Sequence, residues 1–300
     1  MAAVKNYLSL IKFSHTIFAM PFALIGFVLA ITLGGGMGNT GGWTNDLALW
    51  QQILLKLLLV ILCMVFARSA AMAFNRYLDR SFDARNPRTA IREIPAGIIS
   101  AGSALRFTLI CCVAFVVCCA FINTLVLWLA PVALFVILFY SYTKRFTALC
   151  HLVLGLGLSL APIGAYLAVT ARFDVLPVLF SFAVLFWVSG FDIIYALQDE
   201  TFDRSNRLHS IPAALGKRNA LAVSRLLHVL SAACVIAIGI TGHFHFLYWG
   251  GVALFCGMLL YQQSIVKPTD LSKVNIAFMT ANGIASVVFA VFVIADLVIF

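Results

Sequence analysis

The sequence predicts an all-α integral membrane protein with nine transmembrane helices and a cytoplasmic N-terminus. Three observations carry that prediction. Of 300 residues, 63% are hydrophobic and only 10% charged, with a mean hydropathy of +1.05, whereas soluble domains carry roughly 25% charged residues. The apolar residues fall into runs close to the ~20 residues that cross a bilayer, and these runs do not alternate as barrel strands do. Basic residues gather in every second connection, as orientation by cytoplasmic charge requires.

The expected spans are 14–33, 51–74, 104–122, 125–143, 150–170, 175–196, 221–241, 246–265 and 275–299. The first leads into glycine-rich sequence with no convincing cleavage site, so it reads as a span and not as a leader. The connection after the second carries Arg80, Arg85, Arg88 and Arg92, and the one after the fourth Lys144 and Arg145. The connection after the sixth carries Arg204, Arg207, Lys217 and Arg218, and the one after the eighth Lys267 and Lys273. The odd-numbered connections hold a single basic residue, Arg172. The net charge of +9 therefore points to basic cytoplasmic loops and an anionic substrate, not to nucleic acid. The eight cysteines, four of them Cys111, Cys112, Cys118 and Cys119 in one apolar run, read as small apolar fillers.

Two stretches break the apolar pattern. "NRYLDRSFD" (75–83) closes the second span and "YALQDETFD" (195–203) the sixth. Residues four apart on a helix share a face, about 6 Å apart along the axis. Asn75, Asp79 and Asp83 would thus form one column of oxygens, and Asp199 and Asp203 another. Like charges at that spacing repel, and near a membrane they are costly unless paired. Magnesium answers both problems, because it prefers oxygen and is held by a few carboxylates plus substrate phosphates. Arg88, Arg92, Lys144 and Arg145 suit the phosphates of such a ligand. The plainer alternative is that the acids simply pair with neighbouring arginines and the loop cations only hold orientation. The 120-residue offset of the two motifs also hints at a weak repeat, 1–143 and 144–300, within one transmembrane domain spanning 1–300.

These motifs resemble those of the UbiA superfamily of intramembrane aromatic prenyltransferases, whose pattern is N-x-x-x-D-x-x-x-D after the second span and D-x-x-x-D after the sixth. Supporting stretches are "KFSHTIFAMPFALIG" (12–26), "RTAIREIPAG" (88–97), "YSYTKRFT" (140–147), "LAPIGAYLAV" (160–169) and "DIIYALQDETFD" (192–203). The resemblance covers essentially the whole chain. It implies a bundle around a central cavity and two magnesium ions held by Asn75, Asp79, Asp83, Asp199 and Asp203. It also implies a polyprenyl diphosphate donor and an aromatic acid acceptor. Two departures stand out. Arg76 occupies a position where many members have Asp, and "REIP" at 92–95 replaces "RPLP".

The implied reaction is departure of diphosphate, helped by metal and basic side chains, and attack of an electron-rich ring on the allylic cation in a water-poor cavity. Tyr140 and Tyr195, beside the charged motifs, are the expected aromatic contacts to that cation. Asp192, which opens the last stretch, joins them as a substrate-binding candidate. The acceptor expected first is 4-hydroxybenzoate, in ubiquinone or menaquinone biosynthesis. A dihydroxynaphthoate of a menaquinone route is the close alternative, and haem or chlorophyll precursors rank lower. The rival class is an ion-coupled transporter, which the helix-end position of both motifs disfavours. The expected setting is a bacterial plasma membrane with the site opening to the cytoplasm. The expected partners are the two substrates and membrane lipids, with no obligate protein partner.

Several residues are set aside as structural. His243 and His245 read as interfacial, without an acidic partner. His15 and His151 read as helix-end or packing residues, Gly155 and Gly157 as close-packing positions, Pro162 with Gly164 as a helix bend, and Arg172 with Asp174 as an exposed ion pair.

Overall fold

The computed structural model describes residues 2–11, 18–34 and 47–300, with side chains from residue 6 onward. Among the described residues it is all-helical. Lys12 and His15 lie outside them. The helices are α1 (Ala2–Leu10), α2 (Met20–Thr32), α3 (Leu49–Arg85), α4 (Ala101–Ile122), α5 (Thr124–Thr143), α6 (Cys150–Thr170), α7 (Val175–Ala196), α8 (Glu200–Ser205), α9 (Ile211–Thr241), α10 (Phe246–Ile265) and α11 (Asn282–Ile299). A 3₁₀ turn, Leu197–Asp199, joins α7 to α8, and a π-helical turn, Ile276–Ala281, leads into α11.

Among the described residues, seven helical segments are long and apolar enough to cross a membrane. They are α3, α4, α5, α6, α9, the run from α7 through α8, and the π turn with α11. Of the two other expected spans, α2 has 13 residues, roughly 20 Å against a hydrocarbon core of about 30 Å. The other, α10, has 20 residues but ends in Gln262, Gln263 and Ser264. At the opposite extreme, α3 runs for 37 residues, about 55 Å. Its last turns, which carry the first acidic motif, must therefore leave the hydrocarbon.

Large apolar side chains point outward along the bundle, among them Ile110, Trp128, Phe135 and Leu260. In lipid that surface is solvated, and helices associate through close packing instead. The aromatic core is Phe22, Trp187, Phe255 and Phe289, with ring centroids 5.1–6.5 Å apart. Helix α6 runs centrally, packed on α2, α5 and α7. Its C-terminal carbonyls, the negative end of the helix, are met by buried groups. Lys56 Nζ donates to Val169 O at 3.3 Å and Asn123 Nδ2 to Leu167 O at 2.9 Å. Asn123 also caps α5, accepting from Val126 N–H at 2.9 Å. Ser100 and Ser210 cap α4 and α9 in the same way.

Four sequence expectations change here. The helix does not continue through the second motif. It tightens at Leu197–Asp199 and restarts at Glu200, so Asp199 and Asp203 are held by different partners instead of forming an α-helical column. Arg172 and Asp174 are not paired with each other. Asp174 caps α7, accepting from Val175 N–H at 2.7 Å, and Arg172 donates to Gly34 O at 2.7 Å. A cap and a helix-end carbonyl each offer a better partner than an exposed ion pair. His245 does have an acid nearby, since its backbone N–H donates to Asp296 Oδ2 at 2.9 Å. Gly155 is a close-packing position, where a Cβ would lie 2.5 Å from Leu185 O, but Gly157 meets only ordinary contacts at 3.7 Å or more.

Candidate active site

The end of α3 sets out the first motif on one face. Asn75 Nδ2 donates to Asp79 Oδ2 at 3.1 Å. Asp79 Oδ1 accepts from Arg145 Nη2 at 2.9 Å, and Arg145 is itself fixed by Leu78 O and Ser141 O. Asp83 Oδ1 accepts from Arg92 Nη1 at 2.6 Å, while Asp83 Oδ2 is buried without a hydrogen-bond partner. The loop that brings Arg88 and Arg92 back over the motif begins where α3 ends before Pro87, and Thr89 Oγ1 ties it to Asp83 O at 3.1 Å.

The second motif faces the first. Arg88 grips Asp199 with both arms of its fork, Nε at 3.1 Å and Nη2 at 2.6 Å, and its Nη1 donates to Tyr195 OH at 3.1 Å. Asn86 Nδ2 also donates to Asp199, at 3.3 Å. Fully buried Asp203 accepts from Ser210 Oγ at 2.9 Å and lies 2.7 Å from Lys144 Nζ. Each motif aspartate therefore has its own cation: Asp79 with Arg145, Asp83 with Arg92, Asp199 with Arg88 and Asp203 with Lys144. Burial works against charge on Lys144, but the Asp203 carboxylate outweighs it and holds the ammonium above the ordinary lysine range. Asp199 does the same for Arg88. Groups raised in this way stay protonated at physiological pH and lose their charge only in strong alkali.

All twelve candidates line one cavity of about 630 Å³: Asn75, Asp79, Asp83, Arg88, Arg92, Tyr140, Lys144, Arg145, Asp192, Tyr195, Asp199 and Asp203. A second, apolar cavity of about 370 Å³ adjoins it, and the two share Arg68, Met72, Tyr140, Leu154 and Leu158 as walls. The apolar chamber continues between Val60, Met64, Ile137 and Leu167. One space thus has a charged head compartment and a greasy tail compartment.

Other wall residues were not promoted by the sequence reading. His151 is buried beside Asp192, with Nδ1 2.7 Å from Asp192 Oδ2. Ile211 N–H donates to His151 Nε2 at 3.3 Å, so the ring proton sits on Nδ1 and goes to Asp192. Arg68 and Arg76 also line the cavity, each with a buried Nε that has no partner. Arg76, the first departure from the family pattern, is in the electrostatic reach of Asp83 and Glu93. Glu93 is the second departure. It is buried and accepts from Ser9 Oγ at 2.5 Å, tying α1 to the loop. The signal for both was available: Arg68 shares the helix face of Asn75 and Asp79, seven and eleven residues on, and Arg76 that of Asp79 and Asp83, three and seven residues on, and a charge inside an apolar run is a functional flag.

The donor set suits a hard cation. It is all oxygen, from one amide and four carboxylates, and Asp83 Oδ2 is an orphaned buried acceptor of the kind that marks a missing partner. Among the described residues no three His, Cys, Asp or Glu side chains converge, so neither motif by itself forms a complete cage.

The profile of the UbiA prenyltransferase family matches residues 19–284. The chain belongs to this family. Among its relatives is the 4-hydroxybenzoate octaprenyltransferase of Nitrosospira multiformis, 31% identical over 243 residues, which cover 81% of this chain and 83% of that protein. The protein of the same name from Tolumonas auensis is 30% identical over 83% of this chain and 88% of its own length. Among solved structures, the apo UbiA homolog from Aeropyrum pernix K1 superposes with a TM-score of 0.77 at 29% identity, covering 95% of this chain and 97% of that one. The UbiA homolog from Archaeoglobus fulgidus bound to GPP and Mg2+ gives 0.73 at 19% identity, covering 98% and 99%. This UbiA-family chain is an integral membrane prenyltransferase.

Proposed function

We propose that the enzyme transfers a polyprenyl group from a polyprenyl diphosphate to the ring of an aromatic acid of the 4-hydroxybenzoate type, in quinone biosynthesis, at a site open to the cytoplasm. The observation that carries this reading is the compound cavity. Six lysine and arginine side chains and five aspartates line a head compartment that continues into an apolar chamber, which matches a diphosphate with an isoprenoid tail. The names of the curated relatives support the acceptor class.

Arg88, Arg92, Lys144 and Arg145 bind the diphosphate and neutralise the charge that grows as its C–O bond breaks, the largest single catalytic term in most such sites. Magnesium, held by Asn75, Asp79, Asp83, Asp199 and Asp203, would supply further Lewis-acid charge stabilisation there. With magnesium bound there, the four aspartates would keep a charge partner while Arg88, Arg92, Lys144 and Arg145, their present partners, turn to the phosphate oxygens. Tyr140 and Tyr195 flank the allylic fragment. The ring carbon attacks, a C–C bond forms, and the ring proton is lost as aromaticity returns. The direct test feeds 4-hydroxybenzoate and a dihydroxynaphthoate to purified protein with a polyprenyl diphosphate and magnesium, with product mass read out. Prenylated hydroxybenzoate is the expected product. Prenylation of the naphthoate alone would move the acceptor to the menaquinone route, and absence of either product would overturn the reading.

Two predictions arise here. Lys144→Ala and Arg145→Ala raise the KM for the diphosphate by about ten- to a hundredfold, the value of one charge-assisted phosphate contact, and leave the acceptor KM within about twofold. Unchanged donor kinetics in both variants would reduce these residues to orientation signals. In a cysteine-depleted background, Ala84→Cys is labelled by an impermeant maleimide only from the cytoplasmic side and His243→Cys only from outside, as the loop charges require. Labelling of both from one face would remove the proposed orientation.

A further inference from the structure

The π-helical turn Ile276–Ala281 lies far in sequence from both acidic motifs, yet one of its side chains reaches the reaction cavity. Phe278 lines the head compartment. Its ring centroid is 4.2 Å from that of Tyr195, 5.5 Å from Phe191 and 5.4 Å from Phe18, the last two edge-on. All four rings line the same cavity. Tyr195 connects this group to the charged motifs, because its hydroxyl accepts from Arg88, the partner of Asp199. The aromatic wall therefore stands next to the groups assigned to the diphosphate, where the adjoining allylic carbon becomes cationic.

A π turn inserts one residue into a helix, misaligns the backbone ladder and is frequent at functional sites. Here a buried polar network spans it. Asn282, fully buried, donates through Nδ2 to Phe278 O at 2.9 Å and to Ala277 O at 3.3 Å. Its Oδ1 accepts from Trp187 Nε1 at 3.0 Å on α7 and from Gln262 Nε2 at 2.6 Å on α10. One amide thus fastens the turn to two neighbouring helices. An all-apolar contact would suffice for packing in a membrane. Burying Asn, Gln and indole N–H together serves to fix one geometry, because each group left unmatched costs the full desolvation of that group.

We infer that Asn282 is a positioning residue that holds the π turn so that Phe278 completes an aromatic wall around the allylic cation, keeping water from capturing it. This rests on the prenyl-transfer reading above. Two fates of the cation balance chemically. Attack by the ring carbon forms the C–C bond and releases the ring proton, and attack by water forms the prenyl alcohol and releases a proton. Diphosphate departs in both. The ratio of prenylated acid to diphosphate released, the coupling ratio, therefore reports the wall directly. Cation–π attraction and exclusion of water both act on this ratio.

The experiment measures the coupling ratio with farnesyl diphosphate, 4-hydroxybenzoate and magnesium on full-length protein in detergent. Phe278→Leu lowers the ratio by about three- to thirtyfold, the value of one cation–π contact, and Phe278→Tyr keeps it within about twofold. Asn282→Ala lowers it to the same extent as Phe278→Leu, and the double variant is no worse than the worse single one, because both act through one ring. Gln262→Met, which keeps volume and loosens Asn282, gives a smaller loss in the same direction and carries the test if Asn282→Ala does not fold. A merely structural role would lower yield and Tm at an unchanged ratio. Unchanged coupling in Phe278→Leu, in Asn282→Ala or in a folded Gln262→Met, or losses that multiply in the double variant, would overturn the inference. A wild type that forms no ring-prenylated product overturns the assigned reaction itself. A wild type that prenylates, with variants of normal coupling, overturns the positioning role alone.

Discussion

Asp79→Asn and Asp199→Asn each lower prenyl transfer by roughly 100-fold or more, and the double variant is scarcely worse than either single one. The size follows from the loss of charge stabilisation at a departing diphosphate, where one preorganised group is worth about a hundred- to a thousandfold. The lack of additivity follows from geometry. Asp79 and Asp199 belong to separate elements on one cavity, and each motif alone lacks the ligands for magnesium, which takes much of its shell from phosphate and water. Residues that act as one unit cannot be lost twice. Folding changes little. Spacing alone sets the carboxylates of one motif against each other. In the structure each acid is paired instead, with Arg145 or Arg88 across partly exposed contacts. Losing such a pair costs up to about 1 kcal/mol. Chelation should abolish wild-type turnover, and magnesium should restore it. The checks are product formed per enzyme and apparent Tm in detergent. Near wild-type, magnesium-dependent turnover in Asp199→Asn with a dead Asp79→Asn would leave the second motif structural.

Charged and amide residues against an apolar background were the most legible. Asn75, Asp79, Asp83, Asp199 and Asp203 stand out because a membrane-length run has no reason to end in spaced oxygens unless something binds them. The cations that face them came from loop counting, and the cavity gathers all of them. Less legible was the detail that depends on partners distant in sequence. The break at Leu197–Asp199 leaves no mark in spacing, since Asp199 and Asp203 are four apart whether or not the helix is continuous. His151 looked like a packing residue because Asp192 and Ile211, its two partners, lie 41 and 60 residues away. Arg76 and Glu93 each looked like an isolated departure from the family pattern. Only the folded chain brings them into the same electrostatic neighbourhood and ties Glu93 to α1. Phe278 was one phenylalanine among 26, and nothing in "NIAFMTANG" distinguishes a π turn from a regular one.

Replacing Gly26 by alanine gives the largest expected loss of stability. A Cβ at this position would lie 2.0 Å from Pro162 O and 2.9 Å from Pro162 Cα. These are backbone atoms of the central helix α6, so no side chain can rotate away and α2 must move. Small residues at such crossings let helix backbones approach where no hydrophobic drive exists between lipid-solvated surfaces. Overpacking costs about 1–3 kcal/mol even where neighbours can adjust, and here they cannot. The apparent Tm should therefore fall by roughly 5 °C or more. Gly164→Ala supplies the control. It lies on α6, two residues after Pro162, with nothing within 4 Å of a new Cβ, and its Tm should stay near wild type. Activity should fall with Gly26→Ala as well. The displaced segment carries Phe22 against Trp187 at 5.3 Å and Phe18 against Phe278 at 5.4 Å, so a shift of α2 opens the aromatic wall from its other side. The coupling ratio should decline together with Tm in Gly26→Ala and stay constant in Gly164→Ala. A Gly26→Ala protein with wild-type Tm would show that α2 and α6 do not approach this closely in the membrane.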